Sequence, residues 1–165
     1  MTNAYDYIKK SIRENIRSNL IEFRRGKTVE KLDKPTDIGR ARKLGYKAKK
    51  GFVVVRVRVK RGGHKRSRPV KGRMVRNLTI NKSLAMNYQW ICEQRAQKKY
   101  PSLEVLNSYK IAKDGKGFWF EVIMVDPNRP EIKNDHTINW ICNGKNKKRP
   151  FRGLTSAGAK SRGLR

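Results

Sequence analysis

Residues 52–60 read FVVVRVRVK. Strand side chains alternate between the two faces of a sheet. Val53, Val55, Val57 and Val59 therefore point one way, and Phe52, Val54, Arg56, Arg58 and Lys60 the other. The first face packs on a core. The second turns cationic along its length, and out-facing cations with no acid nearby favour an anionic partner over bare solvent. A second strongly β-prone run, Phe118–Val125, is aromatic and β-branched. The alternating stretch 103–112 precedes it across the turn Lys113-Asp114-Gly115-Lys116-Gly117, so the pair reads as a β-hairpin.

Helices flank these strands. Tyr5, Ile8, Ile12, Ile16, Leu20 and Phe23 recur at helical spacing, which predicts a helix over 3–24, capped by Thr2 or Asn3 and stopped by Gly26. Leu84, Tyr88, Ile91, Cys92 and Ala96 predict a second over 83–99, capped by Ser83 and ended by Tyr100-Pro101. Between strand and second helix, residues 61–82 lack apolar periodicity and carry Gly62, Gly63, Pro69 and Gly72, the mark of a long basic loop. Residues 130–141 read as short turns or a single helical turn, anchored by Trp140. Residues 143–165 read as an extended basic tail. The expected fold class is α+β: one domain over 1–165, with a small antiparallel sheet (strand, helix, hairpin) covered by helices, a long basic loop and an extended C-terminal tail.

The chain has 165 residues, 42 Lys plus Arg against 13 Asp plus Glu, and a formal net charge of +29. Leu, Ile, Val and Phe number 37, just above the roughly 20% below which a highly charged chain stays disordered. A real but modest core is expected. No run approaches the roughly 18–20 apolar residues of a membrane span, and Met1–Lys10 shows no secretory signal. Charge is unevenly placed. Residues 38–92 hold 17 basic residues and no acid, and residues 136–165 hold 8 and no acid. The remaining segments are close to balance. Two polyanion-binding segments on a more ordinary body are implied.

Catalytic and metal chemistry find little support. Cys92 and Cys142 are isolated thiols, and with His64 and His136 they lack the close ligand pairs of a zinc site. No P-loop, GxSxG, HExxH or GxGxxG spacing occurs, and the two acid-free segments offer no carboxylates for a nuclease metal. The expectation is no enzyme, no metal and no cofactor. What the chain does carry suits RNA: arginine forks for phosphate, glycines that let backbone approach it, and aromatics among cations. The expected contacts fall in three groups. The first is Arg40, Arg42, Lys43, Lys47 and Lys49, with Tyr46 either stacking on a base or packing in the core. The second is Arg56, Arg58, Lys60, Arg61, Gly62, Gly63, His64, Lys65, Arg66, Arg68, Arg73 and Arg76. The third is Arg152, Lys160 and Arg162. A DNA-coating protein, an RNA-processing enzyme and a membrane-surface protein are the competing readings.

Several blocks together carry a resemblance. They are Arg40-Ala41-Arg42-Lys43-Leu44-Gly45-Tyr46-Lys47-Ala48-Lys49-Lys50-Gly51, Arg56-Val57-Arg58-Val59-Lys60-Arg61-Gly62-Gly63, Glu93-Gln94-Arg95-Ala96 and Val105-Leu106-Asn107-Ser108-Tyr109. Phe120-Glu121-Val122-Ile123-Met124-Val125-Asp126-Pro127, Trp140, Arg152-Gly153-Leu154-Thr155-Ser156-Ala157-Gly158 and Ser161-Arg162-Gly163-Leu164 follow in order. In these blocks the chain resembles the archaeal and eukaryotic large-subunit ribosomal protein family numbered fifteen with the suffix e. The likeness runs over nearly all of residues 4–165. It departs at Lys50, where that family usually has Gln, and at Asp37 and Ala159, where a basic residue is usual. The amino-terminal region lacks the family's tryptophans, and relatives carry a further basic tail beyond the position of Arg165. The resemblance implies a structural protein of the large ribosomal subunit, bound to ribosomal RNA and neighbouring ribosomal proteins in the cytoplasm, with no membrane partner and no homo-oligomer.

Overall fold

The structure is a computed structural model that describes residues 3–73 and 81–165. In chain order it contains α1 (Ala4–Ser18), α2 (Leu20–Arg25), β1 (Val29–Leu32), α3 (Ile38–Lys43), β2 (Phe52–Lys60), β3 (His64–Lys65) and β4 (Asn81–Lys82). After these come α4 (Tyr88–Lys99), β5 (Glu104–Lys113), β6 (Gly117–Val125), α5 (Pro130–Lys133), three short 3-10 turns (Asn139–Cys142, Gly144–Asn146, Arg149–Arg152) and α6 (Ser156–Ser161). The α+β class stands, with a four-stranded antiparallel sheet in the order β1-β2-β6-β5.

The valine alternation of β2 sets the layers. Val55, Val57 and Val59 bury against Cys92 and Ala96 of α4, together with Phe120, Val122 and Met124 of β6 and Val105 of β5. Each such side chain contributes roughly 1.5–3 kcal/mol on leaving water. The opposite face carries Val54, Trp119, Glu121 and Ile123, and register sets Arg56 opposite Glu121 and Arg58 opposite Trp119. Phe23 of α2 packs on Trp119, and Ala41 of α3 packs on Tyr109 and Ile123. The sheet is therefore covered on both faces.

Several boundaries differ from the sequence reading. The predicted helix over 3–24 breaks at Asn19 into α1 and α2, and Ile8 of its apolar stripe stays exposed. The predicted helix over 83–99 starts at Tyr88. Asn87, not Ser83, caps it by accepting from Trp90 N at 2.8 Å, and Leu84 lies outside it. Strand β1 and helix α3 were not expected. A four-residue edge strand and a six-residue helix are too short for periodicity to show.

The largest change concerns residues 143–165, expected extended. They fold into 3-10 turns and α6 and pack on α4. Polar groups of the body hold them there. Trp90 Nε1 donates to Pro150 O at 2.5 Å, and Asn87 Nδ2 to Ala157 O at 3.0 Å. Thr155 Oγ1 donates to the buried Glu93 carboxylate at 2.5 Å, and Lys148 N to Glu104 at 2.9 Å. A Cβ on Gly158 would lie 2.8 Å from Gly153 Cα, so only glycine permits this close approach. Of the long loop 61–82, residues 61–73 are all exposed, and β3 pairs with β4 at its base. Arg76 lies outside the described residues.

Candidate nucleic-acid interface

The fold sorts the expected cations into those it uses and those it offers. Arg56 is used. Its Nη2 donates to Glu30 at 2.7 Å, and its guanidinium lies 4.1 Å from the centre of the Phe23 ring. Arg58 is also used, its Nη1 donating to Arg24 O at 2.5 Å. Both are only half-exposed, so the cationic face of β2 lies under α2 instead of opening to solvent. Lys47 and Lys49 close on one carboxylate, Asp135, at 2.8 and 2.5 Å. Those two hydrogen bonds, with help from Thr137, hold the Asp135 carboxyl well below the usual range. Tyr46 is half-buried, edge-to-face with Phe52 at 5.8 Å. That contact is the packing half of the two readings of Tyr46.

Arg40, Arg42 and Lys43 come from α3, whose first turn is held by Asp37 accepting from Arg40 N at 2.8 Å. Arg40 Nη1 donates to Lys110 O at 3.0 Å, and Arg42 and Lys43 are exposed. Arg40 and Lys43 join Lys9, Arg13 and Lys110 around a groove floored by Ile12, Ile16 and Ile111, with a volume of about 330 Å³. Lys60 and Arg61 join Arg24, Arg58 and Lys116 around a larger cavity of about 550 Å³ at the β5–β6 turn. Asp114 sits in this cavity. Its residual desolvation is outweighed by the Arg24 hydrogen bond and by the amides of Gly117 and Lys116, so its carboxyl lies below the ordinary value.

From this cavity the chain runs out into the loop. Gly62 is clasped at the start. Its N–H donates to Tyr88 Oη at 3.0 Å, and that hydroxyl donates back to Gly62 O at 3.3 Å. Gly63, His64, Lys65, Arg66, Arg68 and Arg73 follow, all exposed. No carboxylate occurs from Lys60 to Arg73. In the C-terminal segment Arg152 Nη2 donates to Lys145 O, Lys160 is exposed on α6, and Arg162 caps that helix.

Three of the acids, Glu93, Glu104 and Glu121, are buried. Glu121 accepts from Thr36 N at 3.1 Å, from Thr36 Oγ1 at 2.5 Å and from Tyr109 Oη. Glu93 accepts from Ser108 Oγ and Thr155 Oγ1, each at 2.5 Å. Burial pushes both carboxyls up, and Glu104 likewise. These carboxylates fasten elements together and leave the outer surface more positive than the composition alone says. Among the described residues no group of three or more His, Cys, Asp and Glu is placed to hold a metal, and no helix is long and apolar enough to cross a membrane.

Sequence reasoning missed Lys110 and Lys116, which lie in a nearly balanced segment and join the basic cavities only through tertiary packing. It also left out Arg149, which sits in the acid-free tail. The likeness to known proteins accords with this geometry. The family model described as Ribosomal L15, of the e type, matches residues 3–165. The chain therefore belongs to that family, whose members are structural proteins of the large ribosomal subunit.

Proposed function

We propose that this protein binds and stabilises folded ribosomal RNA by neutralising phosphates, chiefly through the loop that leaves β2. The observation that carries this reading is the run from Lys60 to Arg73, fully exposed, rich in Lys and Arg and free of acids. Fixing such a segment costs roughly 1–2 kcal/mol of backbone entropy per residue. The Gly62 clasp and the β3–β4 pair offset part of that cost, and a polyanion surface offsets the rest. The basic cavity at the β5–β6 turn and the α1–α3 groove extend the same positive surface onto the body. In this reading the protein works as a single copy inside the cytoplasmic large subunit. Neighbouring ribosomal proteins cover other faces, and it performs no catalysis.

The test is the salt dependence of binding to isolated large-subunit RNA. Each phosphate neutralised steepens the log–log slope by roughly 0.7–0.9, so a slope steeper than about −4 is expected. A slope near zero contradicts the proposal. Equal affinity for long duplex DNA under the same salt would favour the DNA-coating alternative.

A further inference from the structure

Trp140 stands in the first 3-10 turn and is 41% exposed. Asn146 Nδ2 donates to Trp140 O at 2.6 Å and fixes that turn. The Arg149 guanidinium lies 4.8 Å from the centre of the indole. Arg149 is itself held: Nη1 donates to Val105 O at 2.9 Å and to Leu106 O at 3.3 Å, and Nη2 to Leu154 O at 3.3 Å. Three of its donors are engaged by the protein, which holds the guanidinium in place to brace the indole.

The indole also lines a cavity of about 340 Å³ with Gly45, Lys47, Leu106, Thr137 and Ile138. Gly45 has φ +96°, and a Cβ there would come 3.3 Å from Leu106 Cδ2, so glycine keeps this wall open. At the rim, Lys47 Nζ donates to Asp135 at 2.8 Å and to Thr137 Oγ1 at 2.7 Å. An ammonium has three donors, so one remains for an incoming anion.

We propose that the cleft beside Trp140 takes one unpaired base of ribosomal RNA, stacked against the indole, with its phosphate toward Lys47. The inference rests on the RNA-binding reading above and adds a defined base-binding site to it. A braced aromatic next to an apolar floor is what a splayed-out base requires. The surrounding cations and the net charge of +29 favour a nucleotide over an apolar protein side chain. Trp119, by contrast, is 2% exposed, and Tyr46 is packed against Phe52.

Two probes test it with the full chain: single-stranded oligoadenylate and an RNA duplex of equal length. Oligoadenylate should quench tryptophan fluorescence, and Trp140→Phe should abolish that quench while keeping most of the affinity. Trp140→Ala should weaken oligoadenylate binding roughly 5- to 150-fold, the span of one base–aromatic stack, and leave duplex binding unchanged. Unchanged oligoadenylate affinity in Trp140→Ala overturns the proposal. If Trp140→Ala fails to fold, acrylamide quenching of the wild-type protein decides. Shielding of the exposed tryptophan by oligoadenylate supports the cleft. Shielding by RNA-free ribosomal proteins, and not by oligoadenylate, assigns it to a protein and overturns it. A flat salt dependence of the wild-type protein on large-subunit RNA would instead sink the broader reading. A steep one with an indifferent Trp140→Ala sinks the cleft alone.

Discussion

Two acid-free basic segments leave the body, and they have opposite fates. Residues 61–73 stand exposed, held at their start by the Gly62–Tyr88 clasp. Residues 143–165 fold back onto α4, with Pro150, Thr155, Ala157 and Gly158 buried. In sequence both are lysine- and arginine-rich, broken by glycine. The difference lies partly outside them. The body aims two buried carboxylates, Glu93 and Glu104, at the tail and none at the described part of the loop. The tail also carries small residues that allow close packing, such as Gly158 against Gly153. Positive charge alone therefore does not tell a basic segment that stands exposed from one that folds onto its own body. Internal partners do.

Limited proteolysis is the sharpest way to break that comparison. Trypsin acting on the RNA-free protein should cut between residues 65 and 73 about a hundredfold faster than between 145 and 162, because opening the tail costs local unfolding and opening the loop does not. Similar rates at both sites would show that the tail is not held. Thr155→Val comes next in size. It removes the hydroxyl that donates to Glu93 and that accepts from Gly158 N at 3.1 Å. A loss of about 1–3 kcal/mol in denaturant unfolding is expected, together with faster cleavage of the tail. A wild-type stability would mean the latch contributes nothing.

The smallest effect is in pH. Burial holds the Glu93 proton more tightly in the folded protein than in the unfolded chain. Its contribution is therefore fully present below the unfolded carboxyl value of about 4.3 and is lost as pH rises through the higher folded value. Asp135, held low by Lys47 and Lys49, acts in the opposite sense, its contribution lost only as pH falls below the usual carboxylate range. Between pH 4.5 and 7 the wild-type Tm should fall by a few degrees relative to Glu93→Gln. Parallel curves would contradict the assignment.

The sheet was legible because its two long central strands carry strong signals, valine alternation in β2 and an aromatic, β-branched run in β6. The α4 core face was legible for the same reason, through Cys92 and Ala96. Strand β1 and helix α3 were too short to show a period. The tail was misread because what folds it, the carboxylates of Glu93 and Glu104 and the carbonyl partners of Trp90 and Asn87, lies elsewhere in the chain. At the interface, the loop cations were read in the exposed positions they occupy. Arg56, Arg58, Lys47 and Lys49 have the same composition signal, yet the fold gives them Glu30, Arg24 O and Asp135 as partners. No local pattern marks an arginine that will meet a phenylalanine 33 residues away, as Arg56 meets Phe23.

The central claim is that the exposed loop, and not the cations tied into the sheet, carries phosphate contact. Its most direct test is the salt dependence of binding to large-subunit RNA for wild type, for Arg56→Gln, and for a variant with Lys65, Arg66, Arg68 and Arg73 all changed to glutamine. The account predicts that the loop variant loses about 3 from the magnitude of the slope, four phosphates at roughly 0.7–0.9 each, while Arg56→Gln keeps the wild-type slope. An unchanged slope in the loop variant, or an equal per-residue loss in Arg56→Gln, would contradict it.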